Sequence, residues 1–111
     1  MVPLAARAVA LVPFPFSDLS GAKYRPVLVL ADAGRGDFVL CQVTSNQYGD
    51  PRAIELDEHD FAEGSLDRVS YVRPGKLFTA HEGLVRSRVG ALTPASHGRV
   101  VDQVVALLRA G

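Results

Sequence analysis

Little in this sequence points to a metal, a disulfide or a membrane. Cysteine occurs once, at position 41, so an intramolecular disulfide is excluded. It sits inside the run FVLCQV, where a small buried thiol in a reducing compartment fits. The three histidines, His59, His81 and His97, are scattered and form no two-histidine helical pattern, so no metal site and no cofactor are expected. No Gly-x-Gly-x-x-Gly loop precedes a helix, and no Gly-x-Ser-x-Gly elbow occurs. No uninterrupted apolar run approaches membrane-spanning length. Neither sign of charge is in excess, with 12 Lys and Arg against 12 Asp and Glu. That balance removes the overall basic field of a general nucleic-acid coat protein and leaves room only for a local basic groove.

What is present is the composition of one compact domain. The 111 residues are 48% hydrophobic and 22% charged, with ten Gly and seven Pro, and 1–111 reads as a single domain with one core. The opening MVPLAARAVALVPFPF places an arginine before an apolar run, as a secretion signal does. Pro13 and Pro15 interrupt that run, and its removal leaves the domain without a first strand, so it reads as mature chain and the protein as cytosolic.

Extended segments are expected where aliphatic runs or period-two alternation occur. Residues 8–14 form a strand whose prolines sit at an edge or bulge. The cluster of Ser, Asp and Gly over 17–23 is a turn, and the unbroken aliphatics 27–30 suit a strand buried on both faces. Segment 37–45 alternates, with Phe38, Leu40, Gln42 and Thr44 opposite Val39, Cys41, Val43 and Ser45. Both faces are apolar for most of its length, which suggests surface buried between two subunits. After a polar loop over 46–52 come a short strand at 53–56 and longer ones at 70–78 and 84–92. The period then changes. Thr93-Pro94 is a helix start, and Val101, Val104, Val105 and Leu108 recur at helical spacing. Six strands closed by one C-terminal helix predict a small, strongly curved antiparallel sheet or half-open barrel with the helix packed on it.

Charge is distributed unevenly along the chain. Residues 55–67 carry six carboxylates and no Lys or Arg, while 68–88 carry Arg68, Arg73, Lys76, Arg86 and Arg88 against Glu82 alone. A solvated acidic loop beside ordinary surface charges accounts for this, and so does a basic groove suited to a phosphate backbone. Three positions then stand out as chemistry: Arg25 between a turn and a proline, Thr44 with Ser45 at the end of the alternating strand, and Arg73 in SYVRPGKLF. Each also has a structural reading. Arg25 pairs with Asp18 across the turn, Thr44 bonds the following loop backbone, and Arg73 is a surface charge.

Taken in order, LVPFPFSDLSGAKYRPVLVL, FVLCQVTSN, SYVRPGKLFT and RVGALTP resemble the successive motifs of the PemK/MazF family of bacterial toxins, across nearly the whole chain. The resemblance implies a mainly β fold with a C-terminal helix, a small SH3-like barrel of the MazF/Kid/CcdB type. It also implies a cytoplasmic homodimer that cleaves single-stranded RNA at short sequences without a metal or cofactor and without a membrane. Its cognate antitoxin would inhibit it with a disordered acidic C-terminal segment laid over the groove. The family's catalytic arginine falls on Arg25 and its catalytic hydroxyl on Thr44. Asp18, Ser45, Arg73, Lys76, His81 and Arg86 are secondary catalytic or RNA-binding candidates.

Two positions depart from the family pattern. Where one branch has an aspartate two residues after the later arginine, this chain has Gly75. The usual Arg-Gly-Asp opening is replaced by Ala6-Arg7-Ala8-Val9. Two further readings share the fold: a catalytically inactive SH3-like binding module, and a gyrase poison. The absence of tryptophan counts against the second, whose wedge includes one.

Arginine at position 25 has a chemical rationale of its own. Attack of a 2′-hydroxyl on the neighbouring phosphorus builds negative charge on phosphoryl oxygens, and a guanidinium offers them paired donors while staying charged. Threonine is a poor general base, so Arg25 and Thr44 are both assigned first to transition-state stabilisation.

Overall fold

The computed structural model describes residues 4–15 and 22–111. Among these, seven strands form one antiparallel sheet: β1 (Ala8–Pro15), β2 (Ala22–Gly34), β3 (Asp37–Thr44), β4 (Ile54–Leu56), β5 (Phe61–Gly64), β6 (Ser70–His81) and β7 (Ser87–Leu92). Their spatial order is β4-β6-β3-β2-β1-β7-β5. Register shifts at Val9/Ala10, Val29/Ala31 and Cys41/Gln42 interrupt the ladders. Each such irregularity bends its strand and adds twist, which curls the sheet into an SH3-like half-barrel. The edge strands are kept to three and four residues, too short to template pairing with another chain.

The alternation in β3 feeds two separate apolar clusters. Cys41 and Val43 join Val9, Leu28, Leu56, Val72 and Leu92 on one face. Phe38 and Leu40 join Ala8, Ala10, Val12, Val27 and Val29 on the other. The surplus apolar surface that suggested a subunit interface is therefore consumed within a single chain, because the curled sheet gives each face its own core.

The first cluster is covered by α1 (Pro94–Ala110). Thr93 caps it as expected, its Oγ1 accepting from the Ser96 N–H at 3.1 Å, with Pro94 in the first turn. The buried seam is Ser96, Val100 and Val104, so the helix is rotated from the stripe read in the sequence. Val105 and Leu108 stay 40% and 66% exposed. The cause is polar. Ser96 is drawn inward because its hydroxyl donates to Asp60 Oδ1 at 2.6 Å.

The same aspartate corrects the reading of 55–67 as a solvated loop. Asp57 accepts from the His59 N–H at 2.8 Å, and Asp60 Oδ2 accepts from the Asp57 N–H at 2.9 Å, closing a capping box around the 3-10 turn Glu58–Asp60. Arg99 donates to Asp60 Oδ1 at 2.7 Å. Burial pushes the Asp60 carboxyl up, yet the Ser96 hydroxyl, the Asp57 N–H and Arg99 outweigh it and hold the group below the usual carboxylate range. β5 follows directly and pairs with β7, adding a seventh strand to the six expected. β7 begins later than expected because Glu82–Leu84 forms a second 3-10 turn.

Candidate functional site

The β2–β3 register places Val27 opposite Gln42, Leu28 opposite Cys41 and Val29 opposite Leu40. Continued by two residues, it brings Arg25 across from Thr44. Val12 lies opposite Arg25 on one side, and Tyr71 opposite Thr44 on the other. Directly opposed residues share a face, so Arg25, Thr44 and Gln42 sit on the face of the Val27 and Leu40 cluster, at the end where that cluster runs out. A cleft of about 360 Å³ lies at this end of the strands, lined from both faces, since Val43 and Leu66 of the first cluster also border it.

It is lined by Lys23, Tyr24, Arg25 and Pro26 of β2, by Val43 and Thr44 of β3 with the following Ser45, and by Ser70 of β6. Leu66, Asp67 and Arg68, from the connection between β5 and β6, complete the lining. Three cations, Lys23, Arg25 and Arg68, thus meet one carboxylate, Asp67, among the described lining residues. Pro26 fixes the backbone immediately after Arg25. Thr44 is 5% exposed, and its Oγ1 accepts from the Asn46 N–H at 3.2 Å. That bond to the loop backbone leaves the hydroxyl hydrogen for a second partner. Ser45 is exposed at the rim.

Arg73 and Lys76 line a second depression of about 290 Å³, farther along β3 at Gln42. Arg73 is not a free surface charge. Its side chain is 19% exposed, its Nε donates to Asp50 Oδ2 at 3.1 Å, and its guanidinium lies 5.0 Å from the Tyr48 ring centroid. A carboxylate from the 45–53 loop, Asp50, thus stands beside this arginine. The Arg52 backbone N–H, then Arg73, holds Asp50 below the usual carboxylate range. Lys76 is presented by an excursion in β6: Gln42 pairs with Arg73 but Cys41 with Leu77, so Pro74, Gly75 and Lys76 bulge from the ladder. Cys41 closes that bulge from within, its thiol donating to the Arg73 carbonyl at 3.0 Å. Burial pushes its pKa up to about 12, which makes it a structural thiol.

The remaining candidates disperse. Arg86 approaches the cleft through its neighbour, stacking 4.8 Å from the centroid of Tyr24. His81 lies opposite Asp37, at the far end of β3 from Thr44, where its Nδ1 accepts from the Gly83 N–H at 3.1 Å. The structure does not bring it to the cleft. Arg88 also leaves the expected basic face, donating to Glu63 at 2.6 Å on the β5–β7 side. Asp18, and with it the proposed pairing to Arg25, lies outside the described residues. Among the described residues no group of three or more His, Cys, Asp or Glu side chains is placed to hold a metal ion, and no helix is long and apolar enough to cross a membrane.

Sequence reasoning passed over Asp67, Tyr24, Tyr48 and Asp50 as site residues, and held Arg68 only as one member of the basic run over 68–88. Arg68 was visible as the first cation after the acidic run, and Tyr48 as an aromatic stranded in a polar loop. The contacts of Asp50 and Asp67 depend on tertiary packing and leave no local signal.

No protein-family model matches the sequence, and no curated protein matches it. Solved structures do. A mycobacterial endoribonuclease, determined in complex with its cognate antitoxin, superposes with a TM-score of 0.76 over 98% of both chains at 15% identity. MazF from Deinococcus radiodurans, in its complex with MazE, gives a TM-score of 0.76 over 98% of both chains at 23% identity. The Mycobacterium tuberculosis toxin MazF-mt6 gives 0.71 over 93% of this chain and 97% of that one at 16% identity. The chain has the fold of these toxins along almost its entire length.

Proposed function

We propose that this chain is a PemK/MazF-family toxin, the toxin half of a type II toxin–antitoxin pair in a bacterial cytoplasm, and that it cleaves single-stranded RNA. The observation that carries the reading is the convergence of Arg25 and Thr44 on one cationic cleft, within a fold shared end to end with toxins solved beside their antitoxins.

The reaction that suits these groups is internal transesterification. The 2′-oxygen bonds to the adjacent phosphorus while the bond from phosphorus to the next 5′-oxygen breaks. The 2′-proton leaves to a base and the 5′-oxygen gains one, giving a 2′,3′-cyclic phosphate and a free 5′-hydroxyl. Charge gathers on the nonbridging oxygens, where Arg25 supplies paired N–H donors and Thr44 its hydroxyl hydrogen. Arg68, which also lines the cleft, adds a second cation. Among the described lining residues the carboxylate is Asp67, a candidate to receive the 2′-proton.

An antitoxin segment that is acidic and disordered would be drawn to the same cations, occupying the cleft in place of RNA. A homodimer accords with the exposed Val105 and Leu108 on α1.

The test is incubation of the purified protein with mixed RNA in EDTA, with cleavage ends mapped. Discrete cuts ending in cyclic phosphates are expected. Arg25→Ala is expected to lower the rate by about a hundredfold or more with an unchanged melting temperature. A folded Arg25→Ala protein that cuts at the normal rate refutes the assignment.

A further inference from the structure

The depression next to the cleft has features that phosphate chemistry does not use. Its lining, Gln42, Tyr48, Arg73, Lys76, Leu77 and Phe78, mixes aromatic, amide and cationic groups. Tyr48 is 57% exposed although it is one of the largest side chains of the 45–53 loop. It is held at φ 57°, in the left-handed region that a bulky residue enters only at a cost in backbone energy. The loop enforces this. Asn46 Oδ1 accepts from the Tyr48 N–H at 2.8 Å, the Asp50 N–H donates to the Gln47 carbonyl at 3.0 Å, and Gly49 follows at φ 64°.

Behind the ring lies the Arg73 guanidinium, itself clamped by Asp50. Because Asp50 already balances the charge of Arg73, this groove offers less to an acidic peptide than the neighbouring cleft does. What it offers is an aromatic surface backed by a cation, an arrangement that stacks a planar base. Gln42 Oε1 takes only a long contact of 3.5 Å from Arg73 Nη1, and the amide carries donors and an acceptor suited to a base edge. Lys76, exposed on its bulge, adds a mobile charge at the rim.

We infer that this groove is a nucleobase subsite: Tyr48 stacks one base of a single-stranded RNA, Gln42 contacts its edge, and Lys76 meets a flanking phosphate. The inference rests on the RNA-cleavage reading of the adjoining cleft. Gln42 and Thr44 share a face of β3 and stand about 7 Å apart by strand geometry, so the base held here belongs to a nucleotide close to the scissile phosphate. The loop that carries Tyr48 also donates the Asn46 N–H to Thr44, so base binding and the Thr44 hydroxyl are set by the same turn.

The test uses single-stranded oligoribonucleotides with a 2′-deoxyribose at the mapped cut and 2-aminopurine placed at each position in turn. With the wild-type protein, fluorescence at one position near the cut is expected to be quenched on binding. Tyr48→Phe is expected to keep the quench. Tyr48→Ala is expected to abolish it and to weaken binding by about 5- to 150-fold, the range for losing one base–aromatic stack. Tyr48→Leu keeps apolar bulk should alanine disturb the turn, and is expected to lose the quench as well. Wild-type affinity and quench in Tyr48→Ala or Tyr48→Leu overturn the subsite while leaving the cleavage reading intact. A wild-type protein that binds none of the oligonucleotides overturns the cleavage reading itself, before any variant is compared.

Discussion

Asp60 is the polar joint between the acidic segment and the helix, and its removal has a calculable effect on stability. In Asp60→Ala three side-chain bonds disappear. The Ser96 hydroxyl, 6% exposed, loses a charge-assisted partner at 2.6 Å and is left buried without one, a cost of about 2 kcal/mol. The Asp57 N–H loses its partner at 2.9 Å on an exposed turn, about 0.5 kcal/mol. Arg99 is 56% exposed, so its pair with Asp60 adds about 0.5 kcal/mol at most after screening. The total is about 3 kcal/mol, or about 13 °C in melting temperature for a domain of this size. Asp60→Asn keeps an acceptor for Ser96 and should cost about 1 kcal/mol. Urea unfolding at pH 7 measures both variants, and a double-mutant cycle with Ser96→Ala should return a coupling of about 1–2 kcal/mol. The pH arm follows from the direction of the shift. Asp60 is held below its unfolded value, so its contribution is complete above about pH 4 and is lost as pH falls through the folded value. An Asp60→Ala protein within 0.5 kcal/mol of wild type would refute the reasoning, because it would mean that the 57–60 turn and α1 are held together by something else.

Two further outcomes are expected. His97 is pushed below its ordinary value, first by burial and then by the charge of Arg7, against a hydrogen bond to the Leu30 carbonyl, and its buried Nδ1 has no hydrogen-bond partner. Its neutral form is the one that folds, so stability is full above about pH 6.5 and falls below it; His97→Gln should flatten that acid limb in urea titrations between pH 7.5 and 5.5, and an unchanged limb would clear His97 of the effect. Gly64 sits at φ 61°, and a Cβ there would collide with the Val89 carbonyl oxygen; Gly64→Ala should cost about 2 kcal/mol or more and raise amide exchange along β5 and β7, whereas native-like exchange would show that the edge pairing tolerates the side chain.

Much of the architecture was legible because it is encoded locally. The alternation of 37–45 marks β3, and Thr93-Pro94 marks the start of α1 to the residue. Arg25 and Thr44 were singled out as catalytic through motif resemblance alone, and both line one cleft. β5 was not legible, since Phe-Ala-Glu-Gly carries a single large apolar residue and becomes a strand only by pairing with β7. The helix face was misjudged for a related reason. Apolar periodicity favours a seam through Val101, Val104, Val105 and Leu108, but the helix buries Ser96, Val100 and Val104, with Ser96 bonded to Asp60 36 positions away. Arg73 looked like an open surface charge because its partners, Asp50 and Tyr48, lie on a loop whose path sequence does not reveal.

That clamped arginine changes how the charge asymmetry of the chain is to be understood. The basic run over 68–88 does not form one face. Arg88 is spent on Glu63 and Arg73 on Asp50, while Arg86 stacks on Tyr24. The cations that line the cleft are Lys23, Arg25 and Arg68, two of which come from outside that run. On the far side of Arg68 the surface becomes acidic: a neighbouring depression shares Leu66, Asp67 and Arg68 with the cleft and adds Asp57 and Glu58. A polyanion bound at Arg25 and Thr44 is repelled from that side and is free to extend toward Gln42, Tyr48 and Lys76. On the RNA-cleavage reading, the charge pattern therefore orients the strand along β3, with the base-stacking groove on its path and the acidic segment at its end. On that same reading, a chain of zero net charge directs an anionic ligand by placing Asp57 and Glu58 at the end that the strand does not take.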